Sequence, residues 1–206
     1  MTFTIVKHAL IDHYITILRD SGTPPDMFRH AALKVSRILA VAVTQDLDTT
    51  DCPVETPLEA YVGRALEGMV VAIPILRAGL SLVDAVSEIV PNLAVGHIGL
   101  KRDEVTAKAS SYFMKLPECT TGATVLLLDP MLATGGSAIM AIDIVKQVRP
   151  AGIRLITVLA APEGVAAVQA AHPDVLIYTG ALDRELNSSK FILPGLGDFG
   201  DRLCNT

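Results

Sequence analysis

The 206-residue chain has no tryptophan, and its large rings are limited to five phenylalanines and four tyrosines. So few aromatics do not favour the stacking platform on which single-stranded nucleic acid is held. Basic charge is also short. Seventeen lysines and arginines face 22 aspartates and glutamates, for a formal net charge of −5. A dedicated nucleic-acid binder carries a basic face, and this balance leaves room only for a local basic pocket around a small anion. Cysteine occurs at Cys52, Cys119 and Cys204 alone, without close pairing. Such spacing suggests neither a zinc knuckle nor a disulfide framework, and a reducing cytoplasm is the expected setting. The longest apolar run, Met69 to Leu76, falls far short of a bilayer span. The first ten residues, with Lys7 and His8, lack the apolar centre of a signal peptide. Neither nucleic acid nor a membrane is therefore an expected partner. His8, His13, His30, His97 and His172 show no metal-ligand spacing, and His97, inside an apolar strand, is expected in the core.

What the chain does have is apolar bulk. Half of its residues are apolar, enough for a single domain spanning residues 1–206 that buries roughly 70% of its unfolded surface. Helical spacing predicts a helix over His8 to Asp20 and a second from Pro24, capped by Thr23 and favoured by Asp26 in its first turn. This N-terminal pair reads as a packing or oligomer-forming unit. Pro57 to Glu67 reads as a helix stopped by Gly68. Strands then alternate with helices. Met69–Leu76, Leu93–Leu100, Thr124–Leu128, Ile153–Ala160 and Val175–Thr179 read as strands, with helices over Leu80–Val90, Ala138–Val148 and Glu163–Ala171. Several of these strands are apolar throughout, the signature of a mainly parallel sheet covered on both faces in an α/β fold. Lys101 to Thr121 is polar and is expected to form a flexible arm or hairpin, and Gly180 to Thr206 reads as loop.

One turn carries chemistry. The apolar strand Val125–Leu128 delivers Asp129, and Pro130, Met131, Leu132, Ala133, Thr134, Gly135, Gly136 and Ser137 lead into a helix. Paired glycines let backbone N–H groups converge on an anion, and the helix N-terminus adds partial positive charge. Thr134 and Ser137 add hydroxyl donors. A phosphate seated there would accept about four or five hydrogen bonds, each contributing roughly 1.5–3 kcal/mol. No lysine follows the glycines, so this is not a Walker A loop, and the dinucleotide three-glycine spacing is missing. A strand-to-helix turn without a ligand is the plainer reading of the same residues.

At this point the sequence resembles a known family. Asp129 to Ser137 is similar to the PRPP-binding loop of type I phosphoribosyltransferases. Most members carry two adjacent acids there, and Asp129 followed by Pro130 resembles the uracil phosphoribosyltransferase branch. Ile73–Gly79, Val95–Leu100, Ala160–Gly164, Pro194–Asp198 and Gly200–Arg202 are further matching blocks. The resemblance implies a type I phosphoribosyltransferase fold with N-terminal helices, a flexible arm and a C-terminal hood over the base. It implies transfer of phosphoribose from PRPP to uracil, with Mg²⁺ carried by pyrophosphate and water rather than by a direct protein ligand. The 5′-phosphate would lie on the Ala133 to Ser137 amides, the ribose hydroxyls on Asp129, and the pyrophosphate near Arg77, Arg102 and Asp198. Uracil would meet Ile192 and the Gly197–Asp198–Phe199 backbone. Asp129, Arg102 and Asp198 are the implied catalytic set. GTP as effector and a homodimer or homotetramer are implied as well.

The chain departs from the family pattern at Phe199, where alanine is usual, and at its end, Leu203 to Thr206. Two other readings remain open: transfer to another base, and a non-catalytic nucleotide sensor or RNA-binding regulator on the same fold.

Overall fold

The computed structural model describes residues 2–102 and 109–206. Strand β1 (Phe3–Ile5) leads into helices α1 (Ala9–Arg19) and α2 (Pro25–Thr44). A hairpin follows, β2 (Thr49–Glu55) and β3 (Ala60–Leu66). Next come β4 (Val70–Leu76), a 3₁₀ turn (Ala78–Leu82), α3 (Val83–Ile89), β5 (Ala94–Val95), β6 (His97–Arg102) and β7 (Ala109–Lys115). Then β8 (Thr124–Leu128), β9 (Met131–Leu132), α4 (Gly136–Lys146), β10 (Gly152–Ala160), α5 (Pro162–Ala171) and β11 (Leu176–Leu182) complete the alternating part. The tail holds β12 (Glu185–Leu186), β13 (Ile192–Leu193) and α6 (Phe199–Cys204).

The main sheet runs β1-β11-β10-β8-β4-β6-β7, with β5 also beside β4 and β9 beside β10. Its pairs are parallel except for β6 with β7. From β4 the chain moves outward to β5 and β6, whereas from β8 it moves the other way to β10 and β11. The order therefore reverses between β4 and β8, and ligands of open α/β sheets sit in the crevice at such a switch point, beyond the carboxyl ends of the strands.

Side-chain alternation splits the core into two layers. Val70, Ala72, Leu126, Leu128, Ile156 and Val158 meet α1, α2, α3 and α6 on one face. Val71, Ile73, Val125, Leu127, Ile153 and Leu155 meet α4 and α5 on the other. This is why the central strands are apolar at consecutive positions, and why they could be recognised without period-two patterning. Pro74 lies inside β4 rather than near its end. It faces the gap between β5, which pairs through Val71 and Ala72, and β6, which pairs from Ile75 onward, so its missing N–H costs no ladder bond.

Several expectations are corrected. Pro57 to Glu67 is not a helix. Thr56 Oγ1 accepts the N–H groups of Leu58 and Glu59 at 3.2 and 3.1 Å, closing a turn that folds β3 back on β2. Thr23 does not cap α2: its hydroxyl donates to the Ile17 carbonyl at 2.7 Å, and Pro24 takes the cap position without a side-chain bond. Gly180 to Thr206 is not simply loop, since it contains β12, β13 and α6. His97 is half-buried rather than in the core. By contrast, the antiparallel pair β6 with β7 agrees with the hairpin reading of Lys101 to Thr121; residues 103–108 lie outside the described residues.

Phe28 of α2 joins the helical layer to the tail. It is fully buried, its ring meets that of Phe199 edge-on at 5.2 Å, and the Arg202 guanidinium lies 4.5 Å from its centroid. Phe28→Ala is expected to lower the unfolding free energy by about 3–5 kcal/mol. Denaturant titration measures this, and a loss below about 1 kcal/mol would contradict the packing described.

Candidate active site

The loop after β8 is laced to its neighbour strand. The N–H of Asp129 donates to the Ile156 carbonyl at 3.1 Å, and the Pro130 carbonyl accepts the N–H groups of Val158 and Leu159 at 2.9 and 3.1 Å. The N–H of Ala161 donates to the Leu132 carbonyl at 2.9 Å. Pro130 and Leu132 are buried, so their side chains serve the fold while the loop backbone turns outward. Gly135, at φ 83°, caps α4 in a left-handed conformation, and its carbonyl accepts the N–H of Ile139 at 2.9 Å. A side chain there would be strained and would approach the Gly164 carbonyl to 3.0 Å.

This loop encloses a hollow of about 30 Å³ lined by Asp129, Met131, Ala133, Thr134, Gly135 and Ser137 among others. It sits at the N-terminus of α4, where free backbone N–H groups and the helix dipole favour an anion. A second, larger cleft of about 280 Å³ is lined by Met131, Ala133, Ser189, Lys190, Phe191, Ile192, Gly197, Asp198 and Phe199. Met131 and Ala133 belong to both linings, so the small hollow and the large cleft adjoin across these two residues.

Strand order places the remaining candidates. Arg77 follows β4 directly and is exposed. Asp129 follows β8, which pairs with β4. These two residues therefore stand on adjacent strand ends at the switch point. Arg102 ends β6, three residues beyond the Gly99 that pairs with Leu76, or about 10 Å along the strand. The side chain of Arg102 lies outside the described residues.

The tail residues have defined local roles. Asp198 Oδ1 accepts the N–H of Asp201 at 2.9 Å, so this exposed carboxylate caps α6. Ile192 is buried at the cleft. The Phe199 ring is 2% exposed and packs under the loop against Phe28.

Sequence reasoning gave no role to four groups at or beneath the cleft. Lys190 and Phe191 line it from the turn between β12 and β13. Glu163 Oε1 accepts the N–H of Leu186 at 2.9 Å and so ties α5 to that hairpin. This bond holds the Glu163 carboxyl below the usual glutamate range, with smaller help from its own backbone N–H and from Lys190. Asp183, nearly buried, accepts from Arg19 and from the N–H of Gly195. No local motif announces these contacts.

A family model described as Uracil phosphoribosyltransferase matches residues 5–206. The chain belongs to the uracil phosphoribosyltransferase family. Its relatives include the uracil phosphoribosyltransferase of Latilactobacillus sakei strain 23K, 48% identical over 99% of this chain and 98% of the relative. That of Thermosipho africanus is 45% identical, with 100% of both chains covered. Among solved structures, the AQ2163 protein from Aquifex aeolicus matches with a TM-score of 0.93 at 34% identity, covering 98% of this chain and 97% of that one. A hypoxanthine-guanine phosphoribosyltransferase from Bacillus anthracis matches with a TM-score of 0.52 at 14% identity, covering 77% and 80%. That more distant likeness is one of fold alone, and it places the chain among type I phosphoribosyltransferase folds.

In this family member the loop rests on α5. A Cβ at Gly164 would collide with the Ala133 carbonyl and come within 2.8 Å of the Leu132 carbonyl. Gly164→Ala is expected to cost about 1–3 kcal/mol of stability through this overpacking. Chemical denaturation tests it, and a variant as stable as the parent would mean that the loop does not bear on α5 there.

Proposed function

We propose that the chain transfers the phosphoribosyl group of PRPP to N1 of uracil, giving UMP and pyrophosphate. The observation that carries this reading is that the two hollows adjoin, with Met131 and Ala133 lining both. An anion seat next to a cleft of about 280 Å³ suits a phosphorylated sugar joined to a base.

The residues divide the work. The 5′-phosphate takes the Ala133 to Ser137 amides and the Thr134 and Ser137 hydroxyls. Asp129, above the switch point, accepts from the ribose hydroxyls. Arg77 and Arg102 hold the leaving pyrophosphate, a task that suits guanidiniums because they stay charged and bind two oxygens at once. Uracil presents two carbonyls with an N–H between them. Ile192 covers it, and the Gly197 to Phe199 backbone reads it. Cytosine reverses one donor–acceptor position and would leave a buried polar group unpaired. Asp198 stands near the pyrophosphate while capping α6.

In the reaction the N1 to C1 bond forms as the bond from C1 to pyrophosphate oxygen breaks, with inversion at C1 and loss of the N1 proton. Charge builds on the pyrophosphate as the sugar becomes oxocarbenium-like, so fixed donors around the leaving group lower the barrier. Held geometry supplies the rest. Closure of the arm carrying Arg102 keeps water from PRPP. Among the described residues no three of His, Cys, Asp or Glu are grouped to hold a metal ion. Family membership supports a Mg²⁺ that would arrive on pyrophosphate and keep several waters. When bound it neutralises the leaving charge.

Family membership also supports GTP as effector, a homodimer or homotetramer and a cytoplasmic setting. Exposed Val54, Leu58, Tyr61 and Val62 on the hairpin favour assembly. Among the described residues no helix is long and apolar enough to cross a membrane.

Conversion of radiolabelled uracil to UMP with PRPP and Mg²⁺, run beside cytosine and purine bases, tests the reading. Turnover of another base in preference to uracil would overturn it. Asp129→Asn is expected to lower turnover by about 100-fold or more while leaving stability within about 1 kcal/mol. Unchanged turnover would remove Asp129 from the ribose site. Arg102→Ala is expected to raise the KM for PRPP and weaken pyrophosphate inhibition by about 10-fold, with a smaller effect on uracil. Equal losses for both substrates would count against its placement on the leaving group.

A further inference from the structure

The loop Pro194–Gly197 follows β13, whose Ile192 lines the cleft, and ends on a second lining residue, Gly197. Its middle residue is held at both backbone groups. The N–H of Gly195 donates to Asp183 Oδ2 at 2.9 Å, and the Gly195 carbonyl accepts from Arg19 Nη1 at 2.8 Å. The two side chains also bind each other as a fork, Nη1 to Oδ2 at 2.8 Å and Nη2 to Oδ1 at 2.5 Å. Asp183 is 4% and Arg19 27% exposed at the side chain, so solvent screens the pair little. Each residue has a separate anchor. Arg19 is the last residue of α1, and the N–H of Asp183 donates to the Ala160 carbonyl at the end of β10 at 2.8 Å.

We propose that Arg19 and Asp183 are positioning residues for base recognition, fixing the backbone register of the loop that reads the base. Neither lines the cleft, so they act through Gly195. The proposal rests on the assignment of the cleft to uracil. Bidentate guanidinium–carboxylate pairs are directional as well as strong, and a carboxylate that also takes a backbone N–H transmits that direction to the chain. With the clamp intact the loop is ordered before uracil arrives. Without it, the ordering cost falls on uracil binding. The anion seat on α4 is built from other elements and does not depend on the clamp.

Steady-state kinetics on Asp183→Asn, Arg19→Gln, their double variant and Arg19→Lys test this. Asn keeps the size of Asp183 but loses the charge and one acceptor. Lys keeps the charge of Arg19 but loses the fork. The uracil KM is expected to rise about 10-fold or more in Asp183→Asn and Arg19→Gln, while the PRPP KM stays within about two-fold. Because the pair acts as one unit, the double variant is expected to be no worse than about three-fold beyond either single variant. Should Asp183→Asn fail to fold, Arg19→Lys at the half-exposed helix end carries the test, with a several-fold rise in uracil KM and none for PRPP. Parallel movement of both constants would reduce the pair to a general structural role, and movement of neither would refute the proposal. A parent protein that makes no UMP from uracil would instead refute the functional reading, whatever the variants do.

Discussion

The backbone contact between the loop after β8 and the first turn of α5 is the constraint on which the site depends. Gly164 lies so close to the Leu132 and Ala133 carbonyls that no side chain fits between them, and Gly135 meets the Gly164 carbonyl from the other side. The N–H of Ala161 bonds the same loop at Leu132. The small hollow after β8 is therefore a backbone surface pressed against a helix end, and its shape follows from main-chain packing more than from the side chains of Thr134 or Ser137.

The same short stretch organises the larger cleft. Glu163 ties to Leu186 on the hairpin that carries Ile192, and Ala160 accepts from Asp183, which holds Gly195. Ala160 to Gly164 is thus a junction from which both halves of the cleft hang. These two carboxylates, each accepting a backbone N–H, tie two short strands and a glycine-rich loop to the same junction. Neither segment has the length or the apolar face to hold itself.

Where the fold was legible in the sequence, the reason is burial. Leu126 to Leu128 and Val71 to Ile73 face helices on both sides, so the strands and their alternation with helices could be inferred from unbroken apolar runs, whereas the strand order and its reversal between β4 and β8 could not. Residues 57–67 misled because Leu58, Ala60, Ala65 and Leu66 ahead of Gly68 imitate a helix with its stop. The Thr56 turn and full pairing with Thr49–Glu55 prevailed over that local preference. The tail misled in the opposite sense. Its glycines and prolines suggested loop, yet Asp198 caps a helix that begins at the next residue. The Arg19–Asp183 clamp was not legible at all. Its members are 164 residues apart and meet only because β1 returns to pair with β11, carrying α1 beside the sheet edge.

Phe199 shows how the packing limits which groups can enter the cleft. Its ring could narrow the cleft only by leaving the core. There it is 2% exposed, edge-on to Phe28 at 5.2 Å, and the far partner of Phe28 is the Arg202 guanidinium. Arg202 in turn donates to the carbonyls of Leu18, Leu196 and Asp20, so the stack cannot shift to follow the ring. Exposing a phenylalanine forfeits about 1.5–3 kcal/mol of burial, and losing an edge-on pair about 0.5–1.5 kcal/mol more. Together these amount to about 2–4.5 kcal/mol, a factor of roughly 30 to 2,000 against the inward rotamer. The ring therefore belongs to the core, and at this position the cleft is left with main-chain groups to present to a ligand.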